Sequence, residues 1–429
     1  MNETTQQGRR IGVGSAIGRA LGYLILFLGW QSVVSTAYTY SAYYEQSLGG
    51  ALPPEYLLGQ RAAVLGGGGV GMLILLITAA VLRIRGGSLR RLMGMQETAA
   101  PGVTALAAAG LGVCVVGVMA MLGNLAWKTL VGMLHFVSIT MEGQMPDIQA
   151  LYDAMVSKTG EISAVSGILT LVTLALLFRL RKKRIRDEVL LYPVSGRTLG
   201  WSVGLAFCLY WVVTVALSCL PEPWLEGYMA ASEGLGSGGI LLFIATAFLA
   251  PVVEEITFRS LVFTRLRRGM SPVLAMLLSA FVFGYCHGET IWFCYAFVLG
   301  LVFVLVTRHT NSVLPALVMH VVFNLTNEIL AYWFGAWEPD TAVWIVIAVV
   351  GVGGTALCAL RLRREIRRTG PHCPAADIPP LPVEPLVEEA PAVPVEAEPV
   401  LRGTAPARPA AAAWDADSGP NHKFPPHLR

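Results

Sequence analysis

Residues 238–263 read GGILLFIATAFLAPVVEEITFRSLVF, an apolar run long enough to cross a bilayer but interrupted in its second half by Glu254, Glu255 and Arg259. A hydrocarbon core about 30 Å thick needs roughly 20 apolar residues of helix. A charged side chain at mid-membrane costs roughly 2.5–3.5 kcal/mol on insertion scales, so ionisable residues inside a span are functional candidates by default. Glu255 and Arg259 are four apart and share a helix face, where each neutralises the other. Glu254 points roughly 100° away and needs a different partner.

The chain around this stretch is of the same kind. Of its 429 residues, 55% are hydrophobic and 14% charged, against roughly 25% charged in soluble proteins. That excludes a soluble protein and, for most of the length, disorder. The seven cysteines, an odd number scattered through apolar runs, exclude a disulfide scaffold. The net charge is only +3 and the arginines flank apolar segments, so no nucleic-acid partner is expected.

The expected fold class is all-α, a polytopic transmembrane helix bundle of about ten spans. They lie near 18–40, 62–83, 101–124, 162–180, 198–219, 238–263, 272–288, 291–307, 312–334 and 342–360. The first follows Arg9, Arg10 and Arg19 and imitates a secretory signal, but its length and the nine spans after it favour a retained helix. Placing the N-terminus in the cytoplasm puts 23 of the 31 lysines and arginines inside and leaves only Arg61, Lys128 and Lys158 in the opposite loops. By the positive-inside rule both termini are expected in the cytoplasm.

Three regions follow: an N-terminal membrane region over 1–190 with about four spans and an external loop at 125–160, a second membrane domain over 191–361, and a Pro/Ala-rich tail over 362–429. The distal tail holds 14 of the 25 prolines and cannot bury enough apolar surface to fold, so a disordered cytoplasmic extension is expected. The Ala/Gly/Arg-rich composition points to a bacterial protein of the cell membrane.

Two later segments bear on the charged run. Residues 281–289, FVFGYCHGE, put Phe283 and His287 on one face at i, i+4, and residues 317–324, LVMHVVFN, do the same for His320 and Asn324. Either histidine alone reads as a hydrogen-bonded packing residue, and the charged run alone as an ion-pair cluster or a transport path. Height favours a shared site. Glu254 lies some 16 residues before the turn at 269–271 and His287 some 17 after it, so both stand about 25 Å from that turn at 1.5 Å per residue. A Glu, two His and an Asn gathered in a low-dielectric cavity supply what amide hydrolysis requires: a carboxylate base with an imidazole to hold water, and donors for a tetrahedral oxyanion. Cys286 adjoins His287 but points about 100° from it and reads as packing.

The ordered motifs EEITFR, FGYCH and HVVFN resemble the EExxxR, FxxxH and HxxxN patterns of the CPBP intramembrane endopeptidases, also called the CAAX protease or Abi family, which includes the type II CAAX prenyl protease. The resemblance covers about residues 195–335, with Ser260 standing where many members have Gly. It implies that Glu254 is the catalytic glutamate and that His287 helps it hold and activate water. His320 and Asn324 would stabilise the oxyanion, with Glu255, Arg259 and Phe283 in support. No cofactor is then required. Zinc held by Glu254, His287 and His320 is the alternative, though the chain has no HExxH. The expected partners are the lipid bilayer and a membrane-associated peptide or protein substrate. A non-catalytic peptide-binding immunity or scaffold protein is the runner-up, and a transporter comes third.

Overall fold

The computed structural model describes residues 11–49, 52–88, 101–236, 239–334 and 340–369. Among these there is no strand. The helices are α1 (Val13–Ser47), α2 (Pro54–Ile84), α3 (Pro101–Met141), α4 (Ile148–Ser157), α5 (Thr159–Leu180), α6 (Gly196–Ser218), α7 (Glu222–Gly236), α8 (Gly239–Leu266), α9 (Pro272–Tyr285), α10 (Thr290–Thr310), α11 (Leu314–Phe334) and α12 (Thr341–Thr369). Eight of them, α1, α2, α3, α5, α6, α8, α10 and α12, are long and apolar enough to cross a membrane, while α9 and the Leu314–Leu330 part of α11 are shorter apolar helices at two further expected spans. The chain is a multi-pass membrane protein. Leu65, Leu106 and Val113 are each at least 74% exposed, as side chains facing lipid rather than water would be.

The structure corrects several boundaries. The stretch expected as a loop from 125 is helical: α3 continues unbroken to Met141, and α4 occupies Ile148–Ser157. Between 101 and 141 no residue after Pro101 is a proline, so nothing removes a backbone donor until Pro146. Asp147 then starts α4 by accepting from the amides of Gln149 and Ala150. α12 runs to Thr369, so residues 362–369 of the expected tail are helical, and its remaining residues, 370–429, lie outside the described residues. Helix α7 occupies a segment read as a connection.

Two glycines set the closest helix pair. A Cβ on Gly67 of α2 would stand 2.2 Å from the Met119 carbonyl oxygen of α3, and one on Gly123 of α3 would stand 2.1 Å from the Ala63 carbonyl oxygen of α2. Close backbone approach of this kind is what drives helices together in lipid, where apolar surface gains little from burial. One polar knot ties α1, α2 and α3. Lys128 Nζ lies 3.1 Å from Glu45 Oε1 and 3.2 Å from Ser41 Oγ, and the Tyr56 hydroxyl donates to the same Glu45 oxygen at 2.6 Å.

α1 also reaches the second half of the chain. Its Ala20, Leu24 and Phe27 share a core with Phe258, Val262 and Phe263 of α8 and with Phe283 of α9. A neighbouring core joins α6, α10, α11 and α12 around Leu205, Phe303, Met319 and Leu362. α8 belongs to the first of these cores, and its charged run packs against α9, α10 and α11.

Candidate active site

α8 is not a uniform α-helix. It passes through π-helical turns at Ala245–Leu249 and Glu255–Phe263, a widening frequent at functional sites. The first has a local cause. Pro251 has no N–H, and its ring clashes with the carbonyl one turn earlier unless that turn opens. The Ala250 amide bonds to Ala245 O in the π register. In that register the donor for Thr246 O would be residue 251, which has none. The orphan carbonyl is taken by Asn324, whose Nδ2 donates to Thr246 O at 2.9 Å. Only the amide nitrogen can donate to a carbonyl, so the contact also settles which way Asn324 faces.

Glu255 and Arg259 are fully buried, with Arg259 Nε 3.1 Å from Glu255 Oε2. The distance is that of an ion pair, yet these two atoms and the Arg259 Nη atoms make no directed hydrogen bond. The guanidinium instead lies over the Phe283 ring at 4.0 Å and within 5.3 Å of the Phe303 ring. With water excluded, charge attraction and the aromatic faces hold it.

His320, 5% exposed, bridges the two carboxylates. Its Nδ1 is 2.9 Å from Glu255 Oε1 and its Nε2 is 3.7 Å from Glu254 Oε2. A carboxylate only accepts, so Nδ1 carries a hydrogen and Glu255 fixes the orientation and tautomer of the ring. Phe283 and Phe303 flank it at 5.8 and 5.2 Å between centroids. Glu254 keeps 21% of its side chain accessible, the exposed member of a buried group.

His287 sits just past the end of α9. Its Nδ1 donates to the Phe283 carbonyl at 2.9 Å and its ring meets the Phe283 ring at 4.8 Å, which leaves Nε2 as the free nitrogen, an acceptor in the neutral ring. Gly288, at φ +77°, turns the chain, and Glu289 caps α10 by accepting from the Trp292 amide at 2.9 Å. The close contacts of both carboxylates go to His320 and Arg259. His287 joins the group through Phe283. Phe283 thus touches His287, His320 and Arg259 together, His320 links the two glutamates, and Asn324 meets α8 eight residues before Glu254, at Thr246.

Sequence reasoning missed Phe303, Thr246 and Glu328. Thr246 gives no signal by itself; Pro251 five residues later does. Glu328 was open to the same reading as Asn324, because His320, Asn324 and Glu328 follow at i, i+4 and i+8. Among the described residues no three His, Cys, Asp or Glu side chains are grouped as a metal ion requires. Of the residues in the zinc alternative, His320 Nε2 lies 3.7 Å from Glu254 Oε2, and the Nδ1 atoms of His320 and His287 are held by Glu255 and the Phe283 carbonyl.

Residues 236–326 match the family model described as type II CAAX prenyl endopeptidase Rce1-like. The matched segment covers all of α8, α9 and α10 and runs into α11 as far as Thr326. No curated protein and no solved structure matches the chain.

Proposed function

We propose that the protein is an intramembrane endopeptidase that hydrolyses a peptide bond of a membrane-associated peptide or protein, using a water activated by Glu254 and His287. The observation that carries this reading is the pair of adjacent glutamates with opposite fates. Glu255 is spent on Arg259 and His320, whereas Glu254 stays accessible beside them. The type II CAAX prenyl endopeptidase match over this segment supports the same reaction class. The 21% accessibility of Glu254 favours a group that meets solvent or substrate.

Each residue then has a role in a balanced sequence. Glu254 and the free Nε2 of His287 each accept a hydrogen of one water, which leaves an oxygen lone pair for attack. Glu254 takes the proton as the water oxygen bonds to the substrate carbonyl carbon, and the carbonyl electrons move onto oxygen. Asn324 has a second Nδ2 hydrogen free for that oxyanion, and His320 Nε2 donates when the ring carries its second proton. Glu254 returns the proton to the amide nitrogen as the C–N bond breaks, releasing a carboxylic acid and an amine, and the acid then gives up its proton to the amine to leave a carboxylate and an ammonium group. No step passes through a metal.

The experiment is cleavage of membrane-anchored peptides by purified protein in lipid vesicles. Glu254→Ala should abolish cleavage while the protein stays monodisperse, and retained cleavage would sink the reading.

A further inference from the structure

Glu328, two residues past the end of the matched segment, is a carboxylate within an apolar helix that the mechanism above leaves unused. It lies on the His320–Asn324 face of α11 and is half-buried, with Oε1 3.0 Å from Thr246 Oγ1. The same Thr246 oxygen is 2.8 Å from Leu242 O. A hydroxyl has one hydrogen to give. If it goes to Leu242 O, the usual back-bond of a helical threonine, Thr246 Oγ1 can only accept from Glu328. A carboxyl group donates only when it holds a proton. That arrangement satisfies every short contact with the hydrogens available.

Charge bookkeeping agrees. Glu328 is one helical turn, about 6 Å of rise, from Asn324. A formal negative charge there would oppose an oxyanion forming at Asn324, and in low dielectric the opposition is large. A neutral acid imposes none.

We propose that Glu328 is a positioning residue: as a neutral carboxylic acid it donates to Thr246 Oγ1 and pins the π-helical turn whose carbonyl aims the Asn324 amide. The role of Asn324 as oxyanion donor rests on the proposed function; the hydrogen-bond arrangement does not.

The test is a double-mutant cycle in full-length protein in vesicles. Glu328→Leu should lower kcat about five- to tenfold at unchanged KM. Glu328→Gln, which can still donate, should restore most of that loss. On the residual rate of Asn324→Ala, adding Glu328→Leu should change kcat less than about twofold, because the group being positioned is gone. An equal loss in both backgrounds would show a merely structural role, and Glu328→Gln as damaging as Glu328→Leu would show that a charged carboxylate is needed. Should Glu328→Leu not fold, Thr246→Val, which removes the same hydrogen bond from its other end, is read in the same cycle. Independently of any activity, the infrared spectrum at neutral pH should contain a protonated-carboxyl stretch that disappears in Glu328→Gln. Its absence from the wild type overturns the proposal even if peptide cleavage is confirmed. If the wild type cleaves nothing, the band still decides the state of Glu328 while the hydrolase reading fails separately.

Discussion

Replacing Arg259 with methionine probes the device that lets a charged run exist inside the membrane. The Arg259 and Glu255 side chains are 1% and 0% exposed, so the variant leaves a carboxylate with no water and only His320 beside it. Removing one partner of a buried pair typically costs about 3–5 kcal/mol, and the guanidinium–Phe283 contact adds on the order of 0.5–2 kcal/mol. Against a total stability of roughly 5–15 kcal/mol, that is enough to cut the yield of folded protein several-fold. Arg259→Met combined with Glu255→Gln removes both charges and should recover part of the loss, because the glutamine can still accept from His320 Nδ1. Glu254→Gln should lose far less stability, since Glu254 is 21% exposed and its ring contact to His320 Nε2 is as long as 3.7 Å. The assay is the monodisperse fraction and thermal unfolding of purified protein in detergent. Wild-type yield and midpoint for Arg259→Met alone would refute the argument, and with it the weight given to the buried pair.

Gly288→Ala puts a Cβ at φ +77°, a strain of roughly 1–2 kcal/mol that displaces His287, so kcat/KM should fall on the order of tenfold; an unchanged value would remove His287 from the mechanism or show that the turn does not hold it. Lys128→Met takes the cation from Glu45 in the α1–α2–α3 knot and should lower thermal stability by about 1–3 kcal/mol with kcat intact, whereas a matching loss of kcat would mean that the knot and the site are coupled. Dialysis against a strong chelator should leave cleavage unaffected; loss restored by added zinc would reverse the metal-free reading. Cys286 is exposed, so in a variant lacking the other cysteines it should react with an impermeant maleimide added outside intact cells, and labelling only after the cytoplasmic side is opened would invert the proposed orientation.

Much of this was readable from residues alone, for identifiable reasons. The i, i+4 pairs Glu255/Arg259 and Phe283/His287 survive folding because neighbours along one helix need no tertiary information to meet. The spans were legible because hydrocarbon imposes its length on them. Contacts between helices were less so. That His320 would bridge both glutamates depends on how α11 is pressed against α8, whereas counting helix rise brings Glu254 to His287. The Thr246–Asn324 contact depends on a π-helical turn, and a 3.6-residue period misplaces every residue around one. The sequence reading ends α3 at 124 because one bilayer span is already filled there, and the apolar stretch after it reads as opening an external loop able to hold an interfacial helix; in the fold the same helix continues to Met141 and Lys128 turns inward to Glu45.

The lengths of the helices explain how water and a peptide can meet so far from bulk solvent. α9 has 14 residues and spans about 21 Å, short of the roughly 30 Å hydrocarbon core. If it starts at one membrane face, the turn bearing His287 stops inside the other leaflet. A turn there exposes backbone groups that lipid cannot satisfy, which is tolerated only where protein or a watered cavity meets it. Gly288 and the Glu289 cap supply the protein side of that requirement, and the half-buried His287 and Glu254 supply polar groups for water. α7 packs over the start of α10, with Tyr228 and Trp292 at 5.9 Å between ring centroids, while Cys286 and Gly288 of the turn stay exposed and His287 reaches inward to Phe283. The shortness of α9 and the proline-opened turn of α8 thus act together: one stops a loop within the membrane, and the other frees a carbonyl about 12 Å along α8 from Glu254 to orient the amide opposite.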